Sequence, residues 1–164
     1  MASDPAGVAG FDIDGVLADP RHRLHFLARR PKDWRGFFAA AHADPPLEVG
    51  VQMVRELIAD GVTIVYVTGR PASLRGVTRR WLTDLGLPDD ALHMRARGDF
   101  RPAPQVKLEI YRAMAEEFRL DVIVDDDVRV TEVLAEAGLP VRRADWFDPE
   151  SPVLGEAQDE QGRT

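Results

Sequence analysis

The sequence predicts an α/β domain, a mostly parallel five-stranded sheet between two layers of helices, with a small helical insertion after the first strand. Three observations carry this expectation. Short apolar, β-branched runs alternate with segments of helical periodicity along most of the chain, the pattern of parallel strands joined by crossover helices. Three of those runs end abruptly in polar, chemistry-bearing residues: Asp12 and Asp14 after the first, Thr68-Gly69-Arg70 after Val62 to Val67, and Asp125-Asp126-Asp127 after Val122 to Val124. With 164 residues, 45% hydrophobic and 30% charged, the chain is long enough to close a single core.

The first strand is Val8, Ala9 and Phe11, and it leads into Asp12-Ile13-Asp14-Gly15. In a strand, positions i and i+2 share a face, so Asp12 and Asp14 stand side by side while Ile13 points away. Gly15 lets the chain turn without a Cβ penalty. Two adjacent carboxylates repel and need a cation or a shared proton to stay together; a solvated pair at a strand end would read the same way.

Residues 19–46 form the insertion, punctuated by Pro20, Pro31, Pro45 and Pro46. Two short helical pieces fit it, from Leu24 to Arg29 and from Lys32 to Ala43. In the second, Trp34, Phe37, Phe38 and Ala41 recur at helical spacing, and we read them as a small local core rather than a base-stacking platform.

A helix is expected from Leu47 to Asp60, with Val51, Val54, Leu57 and Ile58 inward and Gly61 as the stop. After the second strand, Pro71 is expected to open a helix whose inner face carries Leu74, Val77, Trp81, Leu82 and Leu85. This places Thr68, Gly69 and Arg70 in a strand-to-helix turn, where backbone N–H groups can hold a phosphate. A short strand from Leu92 to Arg95 and the polar loop to Pro102 come next. A helix from about Pro104 to Arg119 is expected to face inward through Val106, Ile110, Ala113, Met114 and Phe118. The strand Asp121 to Val124, a helix through Val130, Val133, Leu134 and Ala137, and an edge strand from Pro140 to Ala144 complete the domain over residues 8–148. Residues 1–7 and the acidic tail 149–164, low in large apolar side chains, are expected to be disordered. In such a Rossmann-like arrangement ligands bind at the carboxyl ends of the strands, which brings Asp12, Asp14, Thr68, Asp125 and Asp126 into one crevice.

Composition narrows the chemistry. There is no cysteine, so disulfides, thiolate zinc sites and cysteine nucleophiles are excluded. The first residues carry no basic-then-apolar leader and no apolar run approaches the ~20 residues of a membrane span; a cytoplasmic protein is expected. His22, His25, His42 and His93 have no metal-ligand spacing and read as surface or structural. Four carboxylates with few nitrogen ligands suit a hard, oxygen-seeking ion such as Mg²⁺. The net charge is −7, yet residues 21–35 hold Arg21, Arg23, Arg29, Arg30, Lys32 and Arg35 against Asp33 alone. That run is either a solvated helix face or a positive rim suited to a substrate with several phosphates.

Acidic pair, hydroxyl, lysine and acidic cluster, in this order and mostly at strand ends, resemble the haloacid dehalogenase-like (HAD) phosphohydrolase superfamily over residues 8–145. The resemblance implies a Mg²⁺-dependent phosphomonoesterase working through an aspartyl-phosphate. Asp12 would be the nucleophile, Asp14 the acid and then the base, Thr68 a phosphoryl ligand, and Lys107 the cation that neutralises Asp12. Asp12, the Asp14 backbone carbonyl, Asp126 directly and Asp125 through a water would form the metal site. Within the superfamily, Arg95…Gly98-Asp99-x-Arg101…Val106-Lys107-x-Glu109-Ile110 and Ile123-Val124-Asp125-Asp126, with Val130 and Glu132, look like the 3'-phosphatase domain of phage-type polynucleotide kinase-phosphatases. Arg23 and Arg70 fall where that domain carries substrate-binding arginines; Gly69 and Arg95 complete the expected substrate contacts. Ala103, Pro104 and Asp127 depart from its pattern, and no Gly-x-x-x-x-Gly-Lys-Ser/Thr occurs in the sequence. The implied substrate is a nucleic-acid 3' end. Gly15-Val16-Leu17-Ala18-Asp19 also resembles the 5'(3')-deoxyribonucleotidases, which makes a small-nucleotide phosphatase the alternative; a catalytically silent phosphate-binding module is another. A receiver-type signalling domain is disfavoured, because no strand-end Asp lies between Asp14 and Thr68.

Overall fold

A computed structural model describes residues 6–147. The expected disordered tail and the first five residues lie outside this range; Gly7 lies inside it, and its carbonyl accepts a hydrogen bond from Thr63 N at 2.9 Å.

Five strands form one sheet in the order β3-β2-β1-β4-β5, with β1 Val8–Phe11, β2 Thr63–Pro71, β3 Leu92–Arg95, β4 Leu120–Asp125 and β5 Val141–Arg143. Every pairing is parallel. Strands buried on both faces read as continuous apolar runs, and all four residues of β1 are buried at the centre. On one face Ala9, Phe11, Ile64, Tyr66 and Val124 pack against Val51 and Val54 of α3 (Glu48–Ala59) and Trp81 and Leu82 of α4 (Arg75–Asp84). On the other, Val8, Val65, Val67 and Ile123 meet Tyr111 of α5 (Ala103–Glu117) and Val130 and Leu134 of α6 (Val128–Glu136). The three layers follow from this division. The order of strands reverses between β1 and β4, and the crevice beyond their carboxyl ends is where an open α/β sheet binds its ligand.

Helices α3, α4 and α6 stop by the same device. Gly61, Gly86 and Gly138 have φ of 81°, 70° and 77°, and the next residue donates to a carbonyl five residues back: Val62 to Leu57, Leu87 to Leu82, Leu139 to Leu134, at 2.9, 3.0 and 3.1 Å. This is the Schellman closure, which a Cβ at the glycine would strain.

Two expectations need correction. Pro71 is the cap rather than the first helical residue: it is extended, with φ −65° and ψ 147°, and a 3-10 turn over Ala72–Leu74 follows it into α4, while Pro71 is still paired in the sheet opposite Arg95. Four steps along β2, from Val67 to Pro71, span only two along β3; this irregularity keeps Thr68-Gly69-Arg70 in the strand, and α4 starts only at Arg75. Its inner face is Thr78, Trp81 and Leu82, while Val77 is exposed. Helix α5 is also turned from its expected phase. Its fully buried residues are Ala103, Lys107 and Tyr111, and Ala113 and Phe118 face solvent. Aiming one lysine inward fixes the helix rotation, and the apolar stripe moves with it.

The insertion contains α1 (His25–Ala28) and α2 (Trp34–Ala39). Leu24, Leu27, Trp34 and Phe37 form a satellite core flanked by Phe26 and Phe38, as the periodicity suggested. Asp33 caps α2 by accepting from Gly36 N at 2.8 Å. Among the described residues no helix is long and apolar enough to cross a membrane.

Two helical glycines make opposite predictions. A methyl group on Gly50 would meet the Val16 carbonyl, which is backbone and cannot step aside, whereas one on Gly76 would meet nothing within 4 Å. Gly50→Ala should destabilise by about 1–3 kcal/mol and Gly76→Ala should stabilise by about 0.4–1 kcal/mol, read from denaturant midpoints. The same sign for both would contradict this packing.

Candidate active site

Strand β1 ends with Asp12 still tied to the sheet, its N–H donating to Val124 O at 3.0 Å. The chain then coils tightly: Val16, Leu17 and Ala18 N–H groups all point at the Ile13 carbonyl, at 3.2, 2.8 and 2.9 Å. Ile13 is fully buried and anchors this loop. Gly15, at φ 80°, lies against the Asp126 carboxylate, where any side chain would collide. The glycine thus permits both the turn and the approach of the last acidic residue.

Asp12, Asp125 and Asp126 each place a carboxylate oxygen within 4.8 Å of the others. Lys107 Nζ lies 2.9 Å from Asp12 Oδ2 and 2.6 Å from Asp125 Oδ2, and all three side chains are nearly inaccessible. The Asp127 N–H donates to Asp125 Oδ1 at 3.0 Å, and Asp127 caps α6 through Arg129 N. One lysine shared between two carboxylates leaves an excess of negative charge once Asp126 is counted. Burial pushes the Asp12 carboxyl up to about 7, with Asp125 and Asp14 adding to the rise and Lys107 opposing it. Burial, then Asp125 and Asp12, raises Asp126 well above the carboxylate range. Burial lowers Lys107, but Asp12 and Asp125 outweigh it and hold it firmly charged. A buried, all-oxygen, over-negative group of this kind fits a hard divalent cation, and Mg²⁺ suits the donor set.

Thr68, Gly69, Arg95 and Lys107 line a small cavity beside this cluster, whose remaining wall is apolar, from Val67, Met94, Val106 and Ile110. The Thr68 hydroxyl accepts from Arg70 N at 3.2 Å. Arg95 is buried; its Nη1 donates to the Asp99 and Arg101 carbonyls at 3.2 and 2.9 Å, and its Nε has no hydrogen-bond partner. Residues 68–70, expected in a strand-to-helix turn, belong to β2, and the 3-10 turn begins only at Ala72, so any phosphate contact at Gly69 comes from a strand end.

Asp14 stands outside the acidic cluster. Its carboxylate accepts from Arg23 Nη2 at 2.7 Å and Arg70 Nη2 at 2.6 Å, with Arg70 Nε at 3.2 Å from both oxygens. Burial would raise its pKa, yet Arg70 and Arg23 bring it down to about 2. Both guanidiniums, expected to meet substrate, are completely buried. The physical reason is a second acid. Asp44 accepts from Arg23 Nε and Nη2, both at 2.7 Å, from Arg70 Nη2 at 2.8 Å, and pairs with His22 Nε2 at 2.7 Å. Arg23 lies over the Phe37 ring at 4.1 Å, and Trp81 Nε1 donates to the Asp44 carbonyl at 2.8 Å. Sequence reasoning missed Asp44: it ends the insertion before two prolines and has no spacing to any other acid. The one available signal was Arg70, a charge at the end of a buried strand that required a partner.

The family model for the phosphatase domain of polynucleotide kinase PNKP matches residues 8–146. Among solved structures, a chain of the Pnkp1/Rnl/Hen1 RNA repair complex shares the fold at a TM-score of 0.67 and 21% identity, over 87% of this chain and 43% of that one. A chain from a second structure of the Pnkp1/Rnl/Hen1 complex gives 0.71 and 22%, over 87% and 47%. The class C acid phosphatase from Bacillus anthracis gives 0.62 and 11%, over 95% and 74%. The chain therefore spans less than half the length of the two complex chains. No curated protein matches it.

The raised carboxyls predict a pH dependence of stability. Acids with a folded-state pKa above their unfolded value bind protons more tightly when folded, so stability falls as pH rises from the ordinary carboxylate range through about 7 for Asp12. In chelator, the melting temperature should decline from pH 5 to pH 8, and Asp126→Asn should flatten the decline. A wild-type profile that rises over this window would contradict the charge balance of the cluster.

Proposed function

The chain belongs to the polynucleotide kinase PNKP phosphatase-domain family and is a phosphoric monoester hydrolase; we propose that it removes 3'-phosphates from nucleic-acid ends, with Asp12 as nucleophile. The observation that carries the assignment of Asp12 is its place at the end of the central strand, 2.9 Å from a charged lysine and beside two further carboxylates. Asp12 attacks phosphorus in line; the P–O3' bond breaks and the phosphoryl becomes esterified to the carboxylate. Lys107, shared with Asp125, favours the ionised form of Asp12 against the pull of burial and balances the charge of the incoming phosphoryl. Thr68 and the unpaired Nε of Arg95 supply donors to its oxygens.

Asp14 protonates the departing 3'-oxygen, then accepts a proton from the water that cleaves the acyl-phosphate. Arg23 and Arg70 keep it a carboxylate before substrate binds, which favours the base half of this cycle. An arriving phosphate dianion brings like charge nearby, and like charge raises a carboxyl pKa, so substrate itself prepares the acid half. Arg23, Arg70 and Asp44 are positioning residues in this scheme, fixing the Asp14 carboxylate rather than touching substrate. Bound by Asp12, Asp125 and Asp126, with the Asp14 backbone carbonyl, Mg²⁺ would supply Lewis-acid polarisation of phosphoryl oxygens.

The nucleic-acid substrate is supported by the family match across 8–146 and by the short insertion, two helices of four and six residues, which leaves room for a long substrate at the strand ends.

Metal binding should appear as stabilisation. Mg²⁺ at a hundredfold excess over its Kd is expected to stabilise wild type by about 2.7 kcal/mol and Asp126→Ala much less, measured by thermal melting. Equal shifts would remove Asp126 from the ligand set.

Activity tests the substrate. kcat/KM for a 3'-phosphorylated oligonucleotide should exceed that for a 3'-mononucleotide and fall steeply with salt, since each neutralised phosphate releases counterions; Asp12→Asn should abolish both activities while still melting cooperatively. Equal efficiencies without salt dependence would favour a phosphatase of small nucleotides instead.

A further inference from the structure

A cleft of about 670 Å³ opens between α2 of the insertion and the loop that follows β3. Its volume lies in the range of small-molecule sites. It adjoins the small cavity beside Thr68 and Lys107, because Gly69 and Arg95 line both.

The walls are aromatic. Trp34 and Phe38 present a nearly parallel pair, with ring centroids 5.6 Å apart and planes inclined by 24°. Phe37 supports Trp34 edge-on from the satellite core, 5.8 Å away at 90°. From the loop side comes Phe100, 59% exposed. Together with Trp34 and Phe38, Phe100 gives this cleft a contiguous aromatic lining, and contiguous apolar surface of this kind marks binding sites. Cation-bearing side chains stand at the mouth: Arg35 and Arg97 are exposed and line the cleft, and among the described residues neither has a hydrogen-bond or ion-pair partner, unlike Arg101, which is held by Asp99 and Glu109. Flat apolar walls suit a planar base, which stacks on aromatic rings whatever its identity. Two free guanidiniums outside suit the next phosphodiesters of a strand.

We propose that this cleft binds the terminal nucleotide of a 3'-phosphorylated strand, its base stacked between the Trp34–Phe38 wall and Phe100, with Arg35 and Arg97 on the adjoining backbone phosphates. The proposal rests on the nucleic-acid reading above and adds the base site. It also assigns the insertion two tasks: the inner faces of Trp34 and Phe37 close a small core, and the outer edge of that core forms one side of the substrate groove.

The test uses two 3'-phosphorylated trinucleotides that differ only in the terminal nucleoside, intact in one and abasic in the other. For wild type the ratio of kcat/KM, intact over abasic, is expected to be about tenfold, the scale of one base–aromatic stack, and to lie mainly in KM. Phe100→Ala, a substitution at an exposed position, should bring the ratio most of the way to one; Phe38→Ala should do the same, with circular dichroism checking that α2 survives. Arg35→Ala with Arg97→Ala should lower both efficiencies and flatten their salt dependence. A wild-type ratio of one overturns the base site, as does an equal loss on both substrates in Phe100→Ala. If neither trinucleotide is cleaved while a small phosphomonoester is, the nucleic-acid reading itself falls, and the base site with it.

Discussion

Lys107 sits between Asp12 and Asp125, at 2.9 and 2.6 Å, and the arrangement around the site depends on that shared cation. Asp12 ends the central strand, Asp125 ends its neighbour, and Lys107 reaches them from the second turn of α5. Without the ammonium, parallel pairing of β1 and β4 would press two buried carboxylates together with nothing to offset them. Removing one partner of such a pair strands a buried charge, which is far more harmful than never having made the pair. The lysine also sets the rotation of α5, burying Ala103 and Tyr111 one turn to either side of it. Tyr111 in turn packs on Gly10, where no larger residue fits. Chemistry at the strand ends and packing beneath the sheet are thus set by one contact.

A second group of charges serves the opposite purpose. Arg23 and Arg70 meet Asp14 and Asp44 in complete burial, a matched set of two cations and two anions. The acidic cluster is unbalanced and raises its carboxyls, whereas this set is balanced and depresses Asp14. Two carboxylates two residues apart in the chain consequently have pKa values pushed in opposite directions. Divergence of this kind is how neighbouring carboxyls come to take different roles. The loop of Ile13 to Ala18 makes it possible, by turning Asp14 away from Asp12 toward the insertion.

The insertion is then more than a cover. It supplies Arg23 and Asp44, and the Trp81 indole of α4 ties its end to the main body through the Asp44 carbonyl. Trp146 makes a comparable tie from beyond β5, donating to Val16 O at 2.9 Å. Both indoles bind main-chain carbonyls, so they hold the loop of Ile13 to Ala18 and the insertion in place without entering the charge network. A family match that begins at residue 8 and runs to 146 spans all of these contacts.

Much of this was written in local patterns. Apolar runs broken at regular intervals by glycine and proline specify parallel strands and crossover helices, because hydrogen bonding and burial act at short range along the chain. The glycines at 61, 86 and 138 end their helices by backbone conformation alone. The carboxylates at strand ends and Thr68 were legible as a group because a parallel sheet gathers its strand ends on one side; Lys107, on a helix, was legible only through the family resemblance. What the sequence did not contain was direction. Val77 and Phe118 fit a helical stripe yet face solvent, since the stripe shifts when Lys107 and Thr78 turn inward. Arg23 and Arg70 read as substrate-binding cations, and only the folded chain brings Asp44 within 2.7–2.8 Å of both. Pairing a buried charge is a long-range requirement: 26 residues separate Arg70 from Asp44, and no periodicity connects them. Sequence determined which elements form and which residues reach the crevice; tertiary packing decided which charges face each other there, because burial, not spacing, sets the electrostatic cost of leaving one unpaired.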